Sequence, residues 1–284
     1  MEGVTVHRFL NVFAALGELY QTDDLDPTWD RYPEALSNRA QSLAVFLDGY
    51  AFERAGRAPK YSETAVKVVA PRNPEDLDST SIWHDFCGEF GGKGINPKVN
   101  PLAPKGTEFR HKGATHHTVG ISVIELDKTL EKPLAKWVVD NLPNTPQIVH
   151  DRLREVSGVG EKIASFFMRD VACRFNVFPI RAEDRRLLQP VDIWVERAAT
   201  CLGAPAGEAA DFLVRCSGTD GNRPERVNQG IWLFGAEVVR SQETLKRFLC
   251  TISGKDEVVN DLEAQIAHRR EILKCLQSAL NADH

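Results

Sequence analysis

The sequence predicts an all-α fold. Apolar residues recur at three- and four-residue spacing along most of the chain, β-branched clusters are few, and glycine or proline punctuates the ends of the periodic stretches. With 284 residues, the chain can bury either one large core or two small ones. Apolar residues at 42% and charged residues at 26% mark a globular chain rather than a disordered one.

Taken in order, residues 4–20 place Val6, Phe9, Leu10, Phe13, Leu16 and Leu19 or Tyr20 on one side of a helix. Residues 37–52 do the same with Leu43, Phe46, Leu47 and Tyr50. Strand signals are confined to residues 66–70 and 119–125, where β-branched side chains gather. Residues 88–120 are rich in Gly, Pro, Asn and Lys and read as a long loop. Helical spacing resumes at 133–142, 146–156 and 161–175. A helix opening near Asp192 is closed by Gly203-Ala204-Pro205, and another begins within 207–216. Residues 226–239 carry Val227, Ile231, Trp232, Phe234 and Val238 on one amphipathic helix. Val259, Leu262, Ile266, Leu273, Leu276 and Leu280 follow heptad spacing broken by Arg269, which reads as a helix docked on its own domain rather than a dimer zipper, and so as a monomer.

Composition excludes several classes. No apolar run reaches the ~18 residues a membrane span needs, and residues 1–20 lack the basic start and unbroken apolar stretch of a signal peptide, so no membrane partner is expected and the location reads as cytoplasmic. The six cysteines, at 87, 173, 201, 216, 250 and 275, form no Cys-x-x-Cys pair, and read as free thiols rather than disulfides or metal ligands. His111, His116 and His117 lie in the long loop without a neighbouring thiol or carboxylate to complete a tetrahedral set, so no metal is expected there. A net charge of −5 argues against coating nucleic acid by bulk attraction. The charge is uneven: Asp23, Asp24, Asp26 and Asp30 make the early chain acidic, whereas Lys93, Lys98, Lys105, Arg110 and Lys112 face only Glu108 in a local basic stretch.

Two strings carry chemistry. Val156-Ser157-Gly158-Val159-Gly160-Glu161-Lys162-Ile163-Ala164 follows one helical stretch and opens another, the pattern of a helix-hairpin-helix. Glycines in such a turn tolerate positive φ and present no Cβ, so the backbone N–H groups of Gly158, Val159 and Gly160 can approach a phosphate and hold DNA without reading bases. A bare interhelical turn accounts for Gly-x-Gly as well; the flanking Ile163-Ala164 and the preceding amphipathic helix favour the hairpin. Asp192, thirty residues after Lys162, ends Gln189-Pro190-Val191-Asp192 and leads into Ile193-Trp194-Val195-Glu196-Arg197, where it is placed to cap a helix. Capping and catalysis are compatible, because a cap keeps the carboxylate ionised and fixed.

Together, Gly158-Val159-Gly160-Glu161-Lys162 and Pro190-Val191-Asp192 resemble the helix-hairpin-helix DNA glycosylase superfamily, which includes endonuclease III and the 8-oxoguanine glycosylases. The resemblance spans about fifty residues directly and is nearest the archaeal type of 8-oxoguanine glycosylase/lyase, on account of the long linker between lysine and aspartate. It implies two helical subdomains, residues 35–188 carrying the hairpin and residues 1–34 with 189–284 carrying the aspartate, and a cleft between them. Ser157 stands where the family has proline, the linker is about ten residues longer than in endonuclease III, and that enzyme's iron–sulfur cysteines are missing.

The resemblance also implies a reaction. Lys162 matches the lysine of bifunctional members, and its neutral amine would attack C1′ of a flipped nucleotide, which requires a pKa below the usual ~10.4. Asp192 would stabilise the positive charge on the sugar. Trp83, Trp232, Asn228 and Gln229 are candidates for the base pocket, the tryptophans by stacking and the amides at the base edge, although a core tryptophan is the commoner fate. The expected partner is double-stranded DNA containing a modified base, which places the protein at the nucleoid. No cofactor is expected beyond a monovalent cation the hairpin could hold. An oxidised purine such as 8-oxoguanine is the favoured base, a bulky modified cytosine of phage DNA the close alternative. The competing classes are a non-catalytic DNA-binding protein and a helical protein-interaction module.

Overall fold

The computed structural model describes residues 3–51, 60–92, 108–110, 116–219 and 221–250, with Asn260 and Ala264. Its elements are α1 (Gly3–Tyr20), α2 (Asp26–Asp30), α3 (Arg39–Gly49), α4 (Lys60–Val69), α5 (Ser79–Gly92), β1 (Glu108–Arg110), β2 (His116–Thr118), α6 (Val119–Lys128), α7 (Leu134–Asn141), α8 (Pro146–Arg154), α9 (Glu161–Phe175), α10 (Ile193–Leu202), α11 (Ala209–Thr219), α12 (Pro224–Leu233) and α13 (Gln242–Cys250). The protein is mainly α, with β1 and β2 forming one short antiparallel pair. Among the described residues no helix is long and apolar enough to cross a membrane.

Both strand signals are overturned. Residues 66–70 fall at the end of α4 and residues 119–125 within α6. In α4 the buried positions are Thr64, Ala65, Val68 and Val69, and in α6 they include Val123, Ile124, Leu126 and Asp127. That spacing is helical, so burial of one helix stripe prevails over the weak β preference of valine and isoleucine. The long loop is also narrower than its composition indicated. Helix α5 extends to Gly92, α6 starts at Val119, and β1 and β2 lie between them. Its lysines and His111, like the heptad positions 259–280, lie outside the described residues.

Local chemistry fixes the helix ends. Asn38 caps α3 by accepting from Ala40 N (2.9 Å) and Gln41 N (3.2 Å). Helix α9 stops at Asn176, whose left-handed backbone terminates it, and α10 stops at Gly203 with φ +106°. Beyond α12 the chain continues in a π-helical turn, Phe234–Val239, so the helix expected over 226–239 is present but widened in its last part.

Buried apolar side chains gather in two clusters. One runs from Tyr20 to Leu188; the other joins Phe9, Leu10 and Phe13 of α1 to residues between Val195 and Leu249. The change at Leu188 falls next to the boundary drawn at 188/189. A boundary at residue 34, however, cuts through the first cluster, because Leu25, Trp29 and Tyr32 belong to it. Trp29 stacks on Phe167 of α9, with centroids 6.2 Å apart and planes 13° from parallel. Helix α1 is pressed onto α12 through two glycines. A Cβ added to Gly230 would lie 1.8 Å from Phe13 O, and one added to Gly17 would lie 2.0 Å from Arg226 O.

Candidate functional site

Helices α8 and α9 are joined by a tight turn. Val156 N donates to Leu153 O (3.2 Å), Val159 N to Val156 O (3.0 Å), and Gly158 sits at φ +73°, a left-handed conformation that an L side chain adopts only with strain. Val159 is buried and anchors the turn, while Gly160 opens α9 without a side-chain cap and a Cβ there would meet nothing within 4 Å. The first turn of α9 therefore receives no acceptor from its cap residue, leaving N–H groups of the kind that bind anions.

Lys162, half-buried in that first turn, lines a narrow pocket with Phe166, Arg169, Pro190, Asp192, Asn228 and Trp232. The pocket thus unites Lys162 with Asp192, Asn228 and Trp232, contributed by α9, the segment before α10, and α12. Asp192 caps α10: its Oδ1 accepts from Trp194 N and Val195 N, each at 2.9 Å. Neither bond uses Oδ2. Trp232 packs edge-on to Tyr20, with ring centroids 5.8 Å apart.

One candidate does not reach this wall. Gln229 is fully buried with its Nε2 donating to Asp170 Oδ1 (3.1 Å) and its Oε1 accepting from Arg226 Nη1 (2.9 Å). For Trp83, on α5, only the backbone is described. Conversely, Phe166 and Arg169 line the pocket without having been singled out in the sequence, and Pro190, quoted there only as part of the string before Asp192, lines it too. Phe166 and Arg169 lie four and seven residues after Lys162, on the same face of α9, so helical spacing from the lysine would have found them.

Behind the pocket lies a buried polar network. The Arg169 guanidinium donates from Nε to Asp170 Oδ1 (2.8 Å) and from Nη1 to Asn228 Oδ1 (2.8 Å), and its carbon stands 4.7 Å from the centroid of the Phe166 ring. Asp170 Oδ2 accepts from Tyr20 OH (3.1 Å) and Tyr50 OH (3.3 Å). Burial, then the Asp170 charge, pushes both phenols well above their usual range. Burial opposes the Arg169 charge, but the Asp170 charge, Tyr20 and the hydrogen bond to Asp170 together outweigh it and the pKa is raised. Cys173, one turn further along α9, is pushed by burial up to about 12 and is an inert thiol.

On its other side Lys162 borders a wider cavity whose lining includes His150, Arg154, Arg186, Gln189 and Asp211. Among the described residues the side chains of Lys162, Arg154 and Arg186 form no ion pair. His150 is buried with neither ring nitrogen hydrogen-bonded, and burial, followed by the Arg154 charge, lowers its pKa. Among the described residues no three His, Cys, Asp or Glu side chains gather as metal ligands would.

Compared with family models, curated proteins and solved structures, the chain matches none. The site itself joins a primary amine, a capped carboxylate and two aromatic rings on one pocket, beside a hairpin with a glycine-bearing turn.

Proposed function

We propose that the protein is a DNA glycosylase with AP-lyase activity, acting on double-stranded DNA that contains a modified base. One observation carries this reading: Lys162 and Asp192, distant in sequence, line the same pocket, with Phe166 and Trp232 beside them. The turn at Gly158-Val159-Gly160 and the uncapped start of α9 hold a backbone phosphate, with the Val159 N–H itself spent on Val156 O, and the flipped nucleotide enters at the pocket that Lys162 and Asp192 line. Phe166 and Trp232 offer faces for the base, whereas the Asn228 amide is buried and spent on Arg169 and the Pro190 carbonyl.

The amine of Lys162 bonds to C1′ as the C1′–N bond breaks. The bonding pair leaves with the base, which takes up a proton, and the lysine nitrogen loses one. Asp192, fixed in place by its two backbone bonds, faces the positive charge that develops on the sugar. Ring opening converts the adduct to an imine. Loss of a C2′ proton then expels the 3′ phosphate and nicks the strand.

An oxidised purine such as 8-oxoguanine is the favoured substrate. A bulky modified cytosine is the second reading, favoured by the wider polar cavity that Lys162 also borders. Excision assays on duplexes carrying each base decide between them: release of one and not the other names the substrate, and release of neither from any duplex in a modified-base panel overturns the enzyme reading. A phosphate clamp without catalysis predicts that panel result together with salt-dependent DNA binding.

A further inference from the structure

We infer that Asn228 is a positioning residue that sets Asp192 relative to Lys162 through a buried relay from Arg169 to the Pro190 carbonyl. The inference rests on the glycosylase reading. Lys162 and Arg169 are two turns apart on one face of α9, so the guanidinium shares the rigid body that carries the amine. Arg169 is itself immobilised, 1% exposed, by its bond to Asp170. Its Nη1 donates to Asn228 Oδ1 at 2.8 Å, and Asn228 Nδ2 donates to Pro190 O at 3.2 Å. Pro190 stands two residues before Asp192, with φ restricted by its ring. Helix α9, helix α12 and the start of α10 are thereby joined at one fully buried amide.

The amide orientation follows from chemistry. A flipped Asn228 would point its NH2 at a guanidinium and its oxygen at a carbonyl, giving donor against donor and acceptor against acceptor. Only an asparagine presents an acceptor to Arg169 and a donor to Pro190 in that span. Aspartate has the same shape and the acceptor, but lacks the donor.

Asn228→Asp therefore keeps the Arg169 side of the relay and turns the Pro190 side repulsive. Release of Asp192 weakens base excision, which passes through a positively charged sugar. Cleavage of a pre-formed abasic site depends on it less, because Lys162 there attacks a free aldehyde. Single-turnover rates for the two reactions, measured on wild type and N228D, give the test. Excision is expected to fall about 10²-fold, as for a misplacement of about 1 Å, and by at least about ten-fold more than abasic-site cleavage. Equal losses in the two reactions, or no loss, overturn the relay. If N228D does not fold, Arg169→Lys is read the same way, since it keeps a positive charge beside Asp170 and gives up the bond to Asn228. Wild-type protein that performs neither reaction overturns the glycosylase reading and the relay with it.

Discussion

Asp192 caps α10 and, in the proposed reaction, stabilises the sugar; one substitution separates the two. Asparagine caps a helix as well as aspartate does, so Asp192→Asn should leave unfolding free energy within about 0.5 kcal/mol of wild type while removing the charge that faces the sugar. Denaturant titration and excision assays check the two halves: excision should be lost with the fold intact. His150 gives a second residue-scale expectation. Its pKa is lowered from 6.5 in the folded chain, chiefly by burial, so below about pH 6.5 the unfolded chain takes up a proton that the folded one refuses. Stability from this group is complete above pH 6.5, is lost as pH falls below it, and levels off under the folded value. Unfolding measured between pH 7 and pH 5 should accordingly show a shallower decline in His150→Leu than in wild type.

At the scale of elements, the α1–α12 crossing depends on having no Cβ at two positions. Gly230→Ala would drive a methyl against the Phe13 carbonyl, a backbone atom that cannot rotate aside, and should cost about 3 kcal/mol, the upper part of the overpacking range, read as a lower denaturation midpoint. Both ends of α10 were legible because the signals are local: Asp192 and Gly203 each act on backbone within four residues. Residues 66–70 and 119–125 misled because β-branched side chains suit a strand in isolation, and only the burial of Ala65 with Val69, or Val123 with Asp127, reveals the helical stripe. Lys162 and Asp192 were legible as strings. Arg169, though set on the lysine's face of α9, gains its meaning from Asp170 and from Asn228, 59 residues away, a pairing that spacing does not carry.

For the molecule as a whole, the buried charge pair Arg169–Asp170 is tied to Tyr50 of the first apolar cluster and to Gln229 of α12, the helix whose Val227 and Ile231 belong to the second. Removing one member leaves an unpaired buried charge. Asp170→Asn should thus destabilise the protein by about 3–5 kcal/mol, measured by thermal or denaturant unfolding, although Asp170 lines no pocket wall with Lys162. The central claim joins that scaffold to a covalent chemistry, and borohydride trapping tests it most directly. On duplex DNA carrying the base that the protein excises, wild type should yield a covalent protein–DNA adduct on reduction, and Lys162→Gln should yield none. No adduct from wild type on its excised base, or an undiminished adduct from Lys162→Gln, would contradict the assignment of Lys162 as the nucleophile.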